Sequence, residues 1–193
     1  MNCLYTNGRL TLFFFVDDIV MLCAKKDLHK LKEFEIALIT RFEMRSLGEL
    51  QWFLGIRVIR DREERKVWLC QDAYIDKVAV KFNRDIAKMK PKTPLSIEEL
   101  LPYENQATEQ QINYYQQRVG SINFAAVISR PDIAFAASKL AQFLTNPSPS
   151  HSAAADRVIS YLYYTKTLAI EYSGCQEEEI FVCTSDAAFA DDL

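Results

Sequence analysis

Leu10–Cys23 reads LTLFFFVDDIVMLC, and two apolar runs in it, Leu10–Val16 and Ile19–Cys23, flank an adjacent pair of carboxylates, Asp17 and Asp18. Runs this short, rich in Phe, Val and Ile, predict buried strands. A two-residue polar break between two such runs predicts a hairpin. The tip of that hairpin would carry two like charges, which repel. A divalent cation relieves the repulsion, and hard carboxylate oxygens suit Mg²⁺. Asp is also an ordinary turn residue, because its side chain bonds nearby backbone. Spacing alone leaves both readings open.

Outward from the hairpin, Asn7-Gly8 is a turn signal leading into the first strand. On the other side Asp27 can cap a helix to about Glu43, with Leu28, Leu31, Phe34, Leu38 and Phe42 forming one buried stripe. Gln51–Arg60 alternates as a strand, placing Trp52, Leu54, Ile56 and Val58 on one face and Phe53, Gly55, Arg57 and Ile59 on the other. Asp61–Arg65 is a polar turn and Lys66–Gln71 a return strand. This second hairpin could present Gly55 to a ligand with Arg57 beside it, or the glycine could be a bulge.

Asp72 can cap a helix to about Asn83, with Tyr74, Ile75, Val78, Ala79 and Phe82 facing inward. Pro91 and Pro94 make an extended connector, and Ser96–Glu109 is polar and loop-like. Three helical stretches follow. The first starts at Gln110 and carries Ile112, Tyr115, Val119, Ile122 and Ala126; the second carries Ile133, Ala136, Leu140 and Phe143. The third runs from about Ser150 to Thr165, with Ala154, Val158, Tyr161 and Leu162 buried. Two strand-like runs, Leu168–Ser173 and Ile180–Ser185, close the chain.

Composition sets the broad class. With 193 residues, 49% hydrophobic and 25% charged, the chain has enough apolar content for a globular core of one domain or two small ones. The 5 cysteines are widely spaced with no CxxC pair, which argues against a zinc site or disulfide framework and for a reducing compartment. The one strongly apolar stretch is broken by Asp17 and Asp18, so it neither spans a membrane nor forms a signal. The net charge of −3 argues against a strongly basic nucleic-acid binder, but the charge is uneven. Arg57–Lys92 holds eleven basic residues against six acidic ones, whereas Glu171–Leu193 holds seven acidic and none basic. The basic middle either contacts phosphates or solvates helix and hairpin surfaces.

The order of landmarks resembles one family. Phe15-Val16-Asp17-Asp18 looks like the metal-binding box of reverse transcriptases, with Phe15 where that box usually has Tyr. Leu47–Ile56 (LGELQWFLGI) resembles the stretch that follows it in copia-type retrotransposon Pol polyproteins. So do Lys90–Leu95 (KPKTPL), Tyr115–Asn123 (YQQRVGSIN), Ser129–Ala136 (SRPDIAFA) and Phe143–Pro149 (FLTNPSP). Ser185–Asp191 (SDAAFAD) is similar to the start of that family's ribonuclease H domain.

The resemblance implies an α+β fold: a partial palm of antiparallel hairpins plus a helix, followed by a helical thumb and connection region. It implies residues 1–95 as partial palm, primer-grip hairpin and thumb start, 96–167 as thumb and connection, and 168–193 as a truncated start of ribonuclease H. The implied activity is RNA-directed DNA synthesis by two-metal phosphoryl transfer. Asp17 and Asp18 would be the catalytic Mg²⁺ carboxylates, and Asp186 the first metal carboxylate of ribonuclease H. Trp52, Gly55 and Arg57 would grip the primer, and Lys77, Lys81 and Lys88 would lie along the template–primer backbone, in contacts that are sequence-independent and salt-sensitive. The implied partners are an RNA/DNA template–primer and deoxynucleotides, with no membrane, in a cytoplasmic retrotransposon particle or the nucleus.

In this family the fingers and the palm strand bearing a third polymerase carboxylate lie upstream of the hairpin, and only sixteen residues precede Asp17. The ribonuclease H resemblance likewise stops after one strand. The expectation is a chain inactive by itself. The alternative is a non-catalytic module that binds nucleic acid or a partner chain through its basic middle.

Overall fold

The computed structural model describes residues 3–82 and 90–174. The chain forms two compact units, Met1–Gln51 and Trp52–Leu193. Both mix helix with antiparallel sheet, so the architecture is α+β.

The first unit is a three-stranded sheet of β1 (Leu4–Thr6), β2 (Leu10–Phe15) and β3 (Asp18–Cys23), in that order, followed by a 3₁₀ turn at Lys25–Asp27 and helix α1 (Leu28–Arg41). The turn signal at Asn7-Gly8 closes a hairpin of its own. The Asn7 side chain accepts from the backbone N–H of Arg9 (3.0 Å) and Leu10 (2.8 Å), and Gly8 sits at φ 80°. The added strand β1 was not anticipated by the hydrophobic pattern.

Two expectations for this unit need correction. The hairpin turn is Val16-Asp17 rather than Asp17-Asp18, because Phe15 pairs with Asp18 and makes Asp18 the first residue of β3. The α1 stripe is not buried either: α1 has no buried residue, and Leu28, Phe34 and Phe42 are all exposed. Leu10 and Val20 are the buried hydrophobic residues among those described in this unit. A short sheet and one helix lack the surface to cover each other fully.

The second unit builds a sheet in the order β4 (Trp52–Phe53), β5 (Ile56–Asp61), β6 (Lys66–Cys70) and β7 (Ile170–Ser173), all antiparallel. Here Gln51–Arg60 is not one strand. Leu54 and Gly55 both have positive φ (52° and 78°), the signature of a two-residue type I′ turn, so the chain reverses and Trp52 lies directly opposite Arg57. The expected segregation of Trp52 and Arg57 to opposite faces is therefore wrong.

Helices α2 (Asp72–Phe82), α3 (Glu109–Ile128), α4 (Ala134–Ala141) and α5 (Pro149–Tyr164) enclose the main core. Ile75, Val78 and Phe82 of α2 meet Tyr115, Val119 and Ile122 of α3, Leu140 of α4, and Val158, Ile159 and Leu162 of α5. Each such side chain contributes about 1.5–3 kcal/mol by leaving water. Two capping boxes start the long helices: Thr108 with Gln111 on α3, and Ser148 with His151 on α5. The preceding loop is pinned by Asn146, whose amide donates to the carbonyls of Tyr103 (3.1 Å) and Asn105 (2.9 Å) and accepts from the N–H of Ala107 (2.8 Å).

Candidate functional site

The carboxylate pair stands at the tip of the β2–β3 hairpin. Asp17 is the second turn residue, Asp18 opens β3, and both are exposed. Val16 before them is 86% exposed and held at φ 52°. Positive φ at the first of two turn residues is the type II′ pattern, which ordinarily takes Gly. A β-branched residue there is strained, and such strain clusters at functional sites. Among the described residues, no three His, Cys, Asp or Glu side chains gather into a metal cluster. Carboxylate oxygens are the hard ligands that Mg²⁺ takes.

The second unit brings together another set. The Arg57 guanidinium lies 4.9 Å from the centre of the Trp52 ring and 3.2 Å from the Asp72 carboxylate at the start of α2. The turn that creates this pairing is Leu54-Gly55, so Gly55 acts as a turn residue. Arg57 also pairs across the sheet with Cys70, which is buried; burial pushes its thiol up and makes it inert. Lys77 and Lys81 lie one helical turn apart on the exposed side of α2, with Lys81 also against the Phe82 ring at 4.7 Å. Lys88 and Asp186 lie outside the described residues.

Two buried polar clusters escaped the sequence reading. Arg130 is 1% exposed. Its Nε and Nη2 donate to Asp132 at 2.9 and 2.7 Å, and Nη1 and Nη2 donate to the carbonyl and hydroxyl of Thr165 at 3.1 and 2.6 Å. Tyr161 donates to the same carboxylate at 3.0 Å. Burial raises the Asp132 carboxyl, but hydrogen bonds and charge from Arg130 outweigh it and hold the group below its usual range. The cluster ties the start of α4 to the end of α5. The available signal was an Arg-Pro-Asp triplet at a helix start, where Asp in the first turn and a nearby Arg readily form a fork.

His151 is fully buried, stacked on Phe143 with ring centres 3.8 Å apart. Its Nδ1 accepts from the Ser148 N–H (3.0 Å), so Nε2 donates to the Leu101 carbonyl (2.9 Å). The signal for it was Ser-Pro three residues before a polar side chain at a helix start. Both clusters are scaffolding for the helical core.

Residues 1–96 match the family model described as reverse transcriptase (RNA-dependent DNA polymerase). The chain is 34% identical over 193 aligned residues to a retrovirus-related Pol polyprotein from transposon TNT 1-94 of Nicotiana tabacum, an alignment covering 97% of this chain and 14% of that protein. It is 28% identical over 189 residues to a putative transposon Ty5-1 protein of Saccharomyces cerevisiae, covering 97% of this chain and 60% of that one. A Pol polyprotein from transposon RE2 of Arabidopsis thaliana is 30% identical over 148 residues, 77% of this chain and 10% of the relative. The chain therefore spans less than two thirds of the length of each of these relatives. No solved structure matches. With the Asp-Asp hairpin, the family model over its first half and Pol relatives along nearly its whole length, the chain belongs to the copia-type reverse transcriptases of retrotransposon Pol polyproteins.

Proposed function

We propose that this chain forms part of an RNA-directed DNA polymerase that copies an RNA template–primer with deoxynucleotides. The observation that carries the reading is the exposed carboxylate pair, Asp17 and Asp18, at the tip of a strained hairpin. Reverse transcriptases depend on Mg²⁺, and these two side chains would hold it. Once bound, the metal supplies activation of the primer 3′-hydroxyl and neutralisation of phosphate charge in a two-metal transfer. The chain's own residues position the nucleic acid. Trp52 stacks on Arg57 and Asp72 anchors it, which holds the guanidinium for a phosphate at the primer end. Lys77 and Lys81 line an exposed helix side suited to the backbone of the duplex, with Lys88 continuing the basic segment. In this reading 1–95 is palm, primer grip and thumb start, 96–167 is thumb and connection, and 168–193, with Asp186, begins ribonuclease H.

On this reading the chain by itself binds template–primer without extending it. The test pairs two measurements on the full chain. Template–primer binding should fall with salt, and Lys77→Glu with Lys81→Glu should flatten the salt slope by about two. Absence of any binding at low salt overturns the reading. Primer extension with Mg²⁺ by this chain, abolished in Asp17→Asn, would instead show that the site is complete.

A further inference from the structure

Two hydroxyl side chains stand directly before a proline, Thr93 before Pro94 and Ser148 before Pro149. The two pairs look alike in sequence, and the structure separates them. Ser148 is buried and caps α5. Its Oγ accepts from the His151 N–H at 3.1 Å and lies 2.7 Å from the Ser150 hydroxyl. An enzyme cannot reach that oxygen while the cap is intact. Thr93 is exposed, in the irregular stretch that precedes α3. The residue before a proline is held extended, the shape in which a protein kinase cleft takes its substrate. Pro94 also brings no N–H, so a cleft with no acceptor at that point selects for it.

The surroundings of Thr93 are cationic. Its hydroxyl donates to the Leu95 carbonyl at 2.8 Å and accepts from Nη2 of Arg157, on α5, at 3.1 Å. Arg157 has no carboxylate partner among the described residues. Its buried Nε has no hydrogen bond. Lys92 precedes Thr93 and is exposed, and Lys90 lies beyond it with its ammonium 5.4 Å from the centre of the Tyr164 ring. A neutral hydroxyl is thus held by a guanidinium that no protein anion claims.

We propose that Thr93 is a phosphorylation site for a proline-directed serine/threonine kinase, with Arg157 as the clasp for the phosphate. The Thr93 hydroxyl oxygen attacks the γ-phosphorus of ATP held by the kinase. A new O–P bond replaces the bond to the β–γ bridging oxygen, ADP leaves, and the hydroxyl proton passes to the kinase's aspartate base. The hydroxyl's bond to the Leu95 carbonyl is lost with that proton. The product carries about −1.5 to −2 charge at pH 7 and three strong acceptor oxygens. Arg157 then makes a charge-assisted hydrogen bond in place of a neutral one, roughly twice as strong. That bond ties the stretch before α3 to α5. The site uses neither Asp17 nor Asp18 and stands apart from the polymerase reading.

The test incubates the full chain with a mitogen-activated protein kinase and Mg²⁺-ATP and maps the product by tandem mass spectrometry. One phosphate per chain is expected, on Thr93 and not on Ser148. Thr93→Val should abolish the transfer, and Pro94→Ala should slow it about tenfold or more. Circular dichroism checks that each variant is folded. Arg157→Gln should leave the transfer intact, because the kinase reads the extended stretch and not α5. The clasp is read separately, from the ³¹P resonance of the phosphorylated chain against pH. Beside Arg157 the phosphate should bind its second proton about tenfold more weakly than in phosphorylated Arg157→Gln. No phosphate on the native chain, equal phosphate on Ser148, transfer indifferent to Pro94→Ala, or a phosphate titration unchanged by Arg157→Gln would each overturn the proposal.

Discussion

Replacing His151 tests whether the helical unit is held by the capping contact at the start of α5. The ring is fully buried and makes two hydrogen bonds, from the Ser148 N–H at 3.0 Å and to the Leu101 carbonyl at 2.9 Å. It also stacks on Phe143, with ring planes 19° apart. His151→Ala leaves a buried N–H and a buried C=O unpaired, at about 1–3 kcal/mol each, and loses about 1 kcal/mol of stacking. The expected loss is about 4 kcal/mol, a large part of the stability of a domain this size. His151→Gln keeps a side chain that can complete the capping box, so it should lose about half as much. Urea unfolding followed by Trp52 and Trp68 fluorescence measures this directly, because both tryptophans lie in the second unit.

A pH series supplies the independent arm. Burial pushes the His151 imidazole below 6.5, outweighing the Leu101 hydrogen bond that favours the charged form. The unfolded chain therefore takes up a proton at 6.5 while the folded chain still holds the ring neutral. Stability from this group is complete above 6.5 and falls as pH drops from there toward the lowered folded value. His151→Gln should lack that slope. A cost of about 1 kcal/mol or less for His151→Ala, within the ordinary range of surface changes, or an unchanged pH slope in His151→Gln, would refute the reasoning.

Other expectations are narrower. Val16→Gly relieves the positive φ at the hairpin tip and should slow hydrogen exchange across β2 and β3, by about 1 kcal/mol of local stability. Gly55→Ala, at φ 78°, should lower the stability of the second unit by about 1 kcal/mol in the same urea assay. Arg130→Met strands the partly buried Asp132 carboxylate and should cost about 3 kcal/mol. It should also remove part of the acid sensitivity. The Asp132 carboxyl is held low in the folded state, so its contribution is present above the ordinary 3.8 and lost as pH falls below it. Arg57→Ala should leave urea stability nearly unchanged, because its pair with Asp72 is partly exposed, yet shift Trp52 emission and weaken template–primer binding.

Where a segment's apolar period had a partner within the chain, the sequence reading and the structure agree. Ile75, Val78, Ala79 and Phe82 point inward because α3 and α5 stand opposite them. The α1 stripe has the same period, but nothing described in its unit is large enough to cover it, and periodicity carries no information about supply of the opposing surface. Turns were legible where their chemistry was ordinary, as at Asn7-Gly8. They were misread where a residue with a costly conformation was tolerated: Leu54 at φ 52° hid a reversal inside an alternating run, and Val16 at the same φ moved the hairpin tip by one residue. At the site, the carboxylate pair was visible because two adjacent charges interrupt an apolar stretch. The Arg57–Trp52–Asp72 grouping was not, since it depends on that hidden reversal. Arg130 and His151 were given no role, because burial of a polar group depends on partners 35 and 50 positions away.

The pairing of β6 with β7 also orders events during synthesis. Trp68 of β6 donates to Glu171 of β7, 103 positions later, and Leu69 pairs with Ile170. Helices α2 to α5 are translated between those two strands. A nascent chain emerging from the ribosome thus holds β6 with one side unpaired until β7 appears. During that interval Val67 and Trp68 are available to any other strand in reach. The helices α2 to α5 can gather around their shared core beforehand, and their assembly delivers β7 to its place. A chain that stalls before Ile170 is consequently the form most prone to associate with its neighbours on a polysome.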